Sequence, residues 1–302
     1  MKKFFSFIFL LILLFVVYLY RTDITKYIIY NYIYKKDIKI PESNDYKRDY
    51  DFSYVKNTDN FYPNNKQELY NVFYTILNNG YEDFTFYCGK EYSSCTKDIK
   101  EITNHDNQIL STINNYVHPY NSYNTISVNI NNLGRVNVKV QKLYTSDDIY
   151  KINNEIDKIL NQIIKPDMTD KDKIKAIHDY IINNTIYDKK WVDLNDKTAR
   201  SNMAYGPLFN KTALCGGYTD LMELFLEKIN IKSFKIASEN HIWNYIYIDN
   251  EWKHLDLTWD DPVTNTGKNL LKYDYFLINT IQLEQKKDKN HIYNKNLYIE
   301  AQ

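Results

Sequence analysis

Glycine is scarce. The 302 residues hold only seven, Gly80, Gly89, Gly134, Gly206, Gly216, Gly217 and Gly267. A phosphate-cradling loop needs several glycines within about six residues, so that backbone amides can approach the anion. Neither G-x-G-x-x-G nor G-x-x-x-x-G-K-S/T occurs, which excludes nucleotide binding of those kinds. Net charge is also missing, since 38 Lys and Arg balance 38 Asp and Glu. With no overall positive field, nucleic acid is excluded as the main partner. Cysteine is limited to three, with no C-x-x-C redox motif and no four-ligand zinc pattern. Cys88 and Cys95, in FYCGKEYSSC, are either unrelated thiols or a disulfide, which an oxidising exterior permits. Cys215 is left over, directly before Gly216-Gly217.

What is present reads as an ordinary globular chain, 44% hydrophobic and 25% charged. At roughly 150 residues per domain the length allows about two domains. The 30 tyrosines carry no functional weight by count alone. Lys2-Lys3 precede an apolar run from Phe4 to Tyr20, broken only by Ser6. At ~1.5 Å per residue this run reaches about 25 Å, just short of a hydrocarbon core near 30 Å. It ends without small residues to cut after, so residues 1–20 are expected to form an uncleaved signal anchor, a transmembrane helix. Residues 21–60 are polar with weak periodicity and read as a spacer.

Residues 61–145 read as a small α+β unit. Leu69, Val72, Phe73, Ile76 and Leu77 have helical spacing, with Gly80 as a cap. Phe84–Tyr87 reads as a strand, and Asp106–Tyr116 as a helix. Thr125–Asn131 and Arg135–Lys142 alternate as a hairpin. The second unit, residues 146–302, opens with two isoleucine-rich helices, the latter behind an N-cap at Thr169. A loop with Trp191, Gly206 and Pro207 leads to Cys215 and an amphipathic helix over 218–229. Strands His241–Ile248 and Trp252–Trp259 follow.

Cys215 therefore sits at a helix N-terminus, where unsatisfied amides and partial positive charge favour thiolate over thiol. Gly216 and Gly217 would let a carbonyl approach closely, and their amides are candidate oxyanion donors. If the strands pair through a two-residue turn at Asp249-Asn250, Ile248 faces Glu251 and His241 faces Thr258. Asp256 then shares a face with His241 as a diagonal neighbour, within hydrogen-bonding reach. The imidazole would take and return the thiol proton, and the carboxylate would fix its tautomer. His254, on the same face, is a rival base or a sheet-surface histidine. His178 reads as structural, while His105, His118 and His291 look solvated. Trp243, Trp252 and Trp259 either wall the site or pack the core, and Asp260-Asp261-Pro262 reads as a strand-ending turn.

These residues look like a known family. ALCGGYTDLMELFLEKINIKS and HIWNYIYIDNEWKHLDLTWDDP, with IHDYIINNTIYD and AYGPLFN upstream, resemble the transglutaminase-like domain of bacterial surface proteins, in the papain-like cysteine superfamily. The resemblance spans about 165–265. It implies an α+β fold with a nucleophilic Cys on a helix packed against an antiparallel sheet carrying His and Asp. It assigns Cys215 as nucleophile, His241 as base and acid, and Asp256 as orienter. Transglutaminases proper have Trp after the Cys, where Gly216 stands. Papain-like proteases place a Gln six residues before it, where Phe209 stands.

The expected protein is a single-pass cell-membrane enzyme whose catalytic domain lies outside the cytoplasm. It would attack amide or peptide carbonyls of a protein substrate at the cell surface and pass the thioester to water or an amine. The mechanism calls for no metal or organic cofactor. The alternative is an inactive surface-binding or assembly module of the same fold; the oligomeric state is not legible. N-terminal sequencing of the mature protein checks the anchor: Met1 or Lys2 is expected, and a start near residue 21 would show cleavage.

Overall fold

The computed structural model describes residues 2–28, 38–89, 91–104, 108–189, 200–262 and 270–302. The expected Trp191 loop tip and His105 lie outside the described residues. Helices α1 (Lys2–Leu19) and α2 (Arg21–Ile28) come first. Among the described residues no helix is long and apolar enough to cross a membrane, which corrects the expected transmembrane segment. The 18 residues of α1 reach about 27 Å at ~1.5 Å per residue, short of a hydrocarbon core of about 30 Å. Its apolar side chains from Phe5 onward are exposed.

Residues 38–60 are not a free spacer. Phe52, Tyr54 and Val55 are buried in the core, and Arg48 is buried as well. Helix α3 (Lys66–Asn78) is capped by the Asn65 side chain on the Glu68 amide. It ends where Gly80 adopts φ +70°, with Tyr81 N donating to Ile76 O, the left-handed stop that glycine allows. Strand β1 (Asp83–Tyr87) follows, then α4 (Cys95–Ile102) and α5 (Ile109–Asn115), the latter shorter than the spacing predicts. Cys88 and Cys95 form a disulfide at the entry to α4. Strands β2 (Tyr123–Ile130) and β3 (Arg135–Lys142) pair as the expected hairpin, giving an antiparallel sheet in the order β1-β3-β2.

Helices α6 (Ser146–Ile163) and α7 (Asp170–Asn183) each start at a capping box, from Thr145 to Asp148 and from Thr169 to Asp172. The two-residue strands β4 (Ile186–Tyr187) and β5 (Thr212–Ala213) pair parallel and deliver the chain to α8 (Cys215–Lys228). Three strands then form a second antiparallel sheet, β6 (Ser233–Ala237), β7 (Ile242–Ile248) and β8 (Glu251–Leu255), with β7 central. Helices α9 (Leu257–Asp260) and α10 (Thr280–Gln285) follow, and short 3-10 turns at Lys289–His291 and Ile299–Ala301 close the described chain.

This second sheet joins two cores. Phe234, Ile236, Trp243 and Tyr245 face a cluster built largely from residues 52–140. Ile246, Ile248 and Leu255 face α6, α7 and α8. The alternation of β7 thus supplies both, as a sheet covered on two faces requires. Buried charges tie the layers together. Arg48 pairs with Glu223 of α8 through Nη2 and donates to Tyr116 O at 2.8 Å through Nη1. Lys235 Nζ lies 2.9 Å from Asp220 Oδ1 and 3.9 Å from Glu223 Oε2. Tyr144 Oη donates to Asp220 Oδ2 at 2.7 Å. Burial raises the Glu223 pKa despite the opposing pull of Arg48 and Lys235.

A buried ion pair that loses one member leaves an uncompensated charge, at about 3–5 kcal/mol. Arg48→Met is therefore expected to lower the unfolding free energy read from urea denaturation by an amount in that range. Arg48→Met combined with Glu223→Gln should recover more than half of the loss, and a purely additive double variant would contradict this account.

Candidate active site

Leu214, the residue before α8, carries a carbonyl that accepts from both Gly217 N at 3.0 Å and Tyr218 N at 3.1 Å. The Gly217 amide, expected as an oxyanion donor, is therefore taken. The amides of Cys215 and Gly216 are the donors left at the helix mouth among the described residues. Gly217 is required for a different reason from the one expected. A Cβ there would lie 2.2 Å from Ser201 O, so the close approach is made by the Ser201 backbone rather than by a substrate. Phe209 is exposed and packs on Tyr205, so that position supplies no side-chain donor.

Thr219, one turn into α8, pins the helix start to the sheet. Its hydroxyl lies 2.7 Å from Cys215 O and 3.1 Å from Ile242 O, and Asn244 Nδ2 donates to Thr219 O at 3.0 Å. The half-buried Cys215 thiol is thereby held beside the first residues of β7. The hairpin register matches expectation. Asp249 and Asn250 both take positive φ, and Ile248 faces Glu251 while Asn244 faces Leu255. The second strand stops early, however. Asp256 leaves the ladder as the N-cap of α9, its Oδ1 accepting from Trp259 N at 3.2 Å, so Thr258 never faces His241. Capping by a short carboxylate competes with strand pairing.

His241 and Asp256 meet all the same. His241 Nε2 and Asp256 Oδ2 are 2.5 Å apart, both groups buried. Cys215 is, after Asp256, among the groups that raise the His241 pKa, so thiol and imidazole are electrostatic neighbours. The His241 ring stacks on Trp243, with centroids 5.6 Å apart, and lies edge-on to Trp259 at 6.3 Å. Burial opposes charge on His241, but the Asp256 carboxylate, followed by Cys215, outweighs it and pushes the pKa up to about 10. Burial likewise opposes charge on Asp256. His241 and then His291 hold its carboxyl well below the usual range.

Three of the other histidines, His254, His118 and His291, depart from expectation. His254 is fully buried and accepts from Trp243 Nε1 at 3.0 Å through Nδ1. Burial, aided by His291, pushes its pKa down to about 3, so it is a neutral core acceptor and no rival base. His118 is buried against Glu227. His178 is structural as expected, with Nε2 3.2 Å from Asp260 Oδ2. Asp260 belongs to α9 rather than to a strand-ending turn and accepts from Tyr275 N at 2.9 Å. Burial pushes Asp261 up to about 6, although Tyr218 donates to it at 2.5 Å. His291, read as solvated, is buried, and its Nε2 lies 2.8 Å from Asp256 Oδ2. No local signal in KDKNHIYN marks it, because its partner is 35 residues away. The donor atoms of His241, Asp256 and His291 lie within 4.8 Å of one another, a spacing a metal ion could also use, and here hydrogen bonds join them.

The family model described as the transglutaminase-like superfamily matches residues 157–257, about a third of the chain and the part that carries Cys215, His241 and Asp256. Among solved structures, the chain is similar to one described as a TGase, at 16% identity and a TM-score of 0.35, covering 45% of this chain and 44% of that one. It is also similar to a candidate cysteine protease from Cytophaga hutchinsonii, at 14% identity and a TM-score of 0.29, covering 49% of this chain and 65% of that one. The chain thus spans less than two thirds of the length of either structure. No curated protein matches it.

A pKa raised from 6.5 to about 10 means that protonated His241 stabilises the fold fully below about pH 6.5, and that this contribution is lost as the pH rises through about 10. NMR titration of the His241 ring nitrogens should show the proton retained through pH 8 and released near pH 10. In Asp256→Asn the midpoint should fall by more than one unit, and an unmoved midpoint would contradict the pairing.

Proposed function

We propose that the chain is a thiol-dependent acyl-transfer enzyme acting on amide or peptide carbonyls of a protein or peptide. One observation carries this reading: a half-buried thiol at a helix mouth is an electrostatic neighbour of an imidazole that a buried carboxylate holds through Nε2. The match of residues 157–257 to the transglutaminase-like superfamily supports it.

In the proposed reaction the thiol proton already resides on His241, stabilised there by Asp256, before the sulfur attacks. The sulfur attacks the carbonyl carbon and the carbonyl π pair moves onto oxygen, which the Cys215 and Gly216 amides receive. The oxyanion collapses, the C–N bond breaks, and the nitrogen takes the His241 proton and leaves as amine. Water or a second amine then attacks the thioester carbon, giving its proton to His241; the C–S bond breaks, the acid or new amide leaves, and the sulfur returns to its pairing with the protonated ring. Asp256 orients the ring throughout and does not itself take the proton. No metal or organic cofactor enters the scheme.

The location is part of the same proposal. We place the enzyme outside the cytoplasm, with the exposed apolar side chains of α1 holding it to a membrane. The disulfide at the entry to α4 supports an oxidising compartment.

Incubation of the full chain with a glutamine-bearing protein and a labelled amine tests the chemistry. Label incorporation lost in Cys215→Ala means transfer, and ammonia or fragments without label mean hydrolysis. Asp256→Asn should lower kcat by about 10²- to 10⁴-fold, as removal of a triad orienter does. If neither product forms, and Cys215 is alkylated no faster than a free thiol between pH 5 and 8 with His241→Ala changing nothing, the chain is an inactive binding module.

A further inference from the structure

Asp256 serves two imidazoles at once. Its Oδ2 meets His241 Nε2 at 2.5 Å and His291 Nε2 at 2.8 Å, while its Oδ1 caps α9 through Trp259 N. The carboxylate is ionised, so both nitrogens must carry hydrogen toward it. Three donors converge on a side chain that is 2% exposed, and none of them is water. His291 comes from the C-terminal segment, 35 residues beyond Asp256.

The His291 ring is itself fixed. It stacks on Tyr275 at 4.7 Å with the planes 16° apart. It meets Trp243 at 4.9 Å and Trp259 at 5.2 Å in edge contacts. The Tyr275 carbonyl in turn accepts from Asp256 N at 3.2 Å. Among the described residues His291 Nδ1 is buried without a hydrogen-bond partner, Asp288 Oδ2 being 3.8 Å away. The ring therefore makes one hydrogen bond, and that bond goes to the catalytic carboxylate. A histidine present only to fill space has no need of that orientation.

We infer that His291 is a positioning residue of the active centre: its Nε2–H holds Asp256 Oδ2 in line with His241, so that the chain of contacts runs Cys215, His241, Asp256, His291. The group touches neither substrate nor sulfur and acts through the carboxylate. Without the donor, Oδ2 loses one of its two fixed partners and the carboxylate can turn about its Oδ1 cap, which slackens its grip on the His241 ring. The C-terminal segment is thus part of the catalytic apparatus, although the family match ends at residue 257.

The inference rests on the acyl-transfer reading, and its test is readable without it. His291→Phe keeps an aromatic ring among Trp243, Trp259 and Tyr275 and removes the donor. His291→Gln restores a nitrogen donor at similar reach. In the full chain, His291→Phe is expected to lower the His241 titration midpoint from about 10 by more than one unit. It should also lower kcat about 10- to 100-fold with KM little changed, the range of one hydrogen bond to a charged group. His291→Gln should stay within about threefold of the parent. If His291→Phe does not fold, His291→Met takes its place. The proposal is overturned if the donor-less variant melts earlier but keeps the His241 midpoint, or if a folded His291→Gln fails as badly as it does. Should the parent chain show no activity, the acyl-transfer reading falls while the NMR midpoint still decides the role of His291.

Discussion

A buried carboxylate is tolerable only when its lone pairs are filled, and the site is arranged around that requirement at Asp256. Its oxygens take an amide of α9 and imidazoles from two distant parts of the chain. The carboxylate in turn keeps His241 charged in a place where burial alone would make it neutral. Cys215, at the mouth of α8, is an electrostatic neighbour of that ring. Cap, tautomer and charge are consequences of one desolvated anion.

A second set of buried charges governs where that anion finds the thiol. Helix α8 presents Cys215 at its first position and Asp220 and Glu223 on the buried side of its next turns. Lys235 of β6 and Arg48 from the N-terminal stretch neutralise them. Such pairs contribute little net stability, since desolvation offsets their attraction, but they are intolerant of displacement. Together with the Thr219 and Asn244 bonds, they fix the height of α8 on the sheet and hence the position of the sulfur beside His241.

Much of the site was legible because it is written in short-range chemistry. Cys-Gly-Gly ahead of an amphipathic run marks a helix mouth, and Asp249-Asn250 between alternating segments marks a two-residue turn that sets the register. Where local reading failed, a tertiary partner had intervened. Asp256 left the strand because a cap was open to it. Gly217 proved to make room for the Ser201 backbone. Residues 38–60 looked like a tether because their few apolar residues have no period, yet they fill the gap between the two sheets and α8.

By itself the sequence determined α3, α6, α7 and α8, the caps at Gly80 and Thr169, the two hairpins and the candidate residues Cys215, His241 and Asp256, since each depends on neighbours within a few residues or on one turn. Only the tertiary structure decided which histidines are neutral and which share a charge. His254 sits in an alternating strand and His291 in a polar stretch, and neither setting reveals its role. One is buried as an acceptor beneath an indole, and the other is aimed at a carboxylate. Burial and partnership across 35 residues are properties of packing, and no local pattern of residue types encodes them.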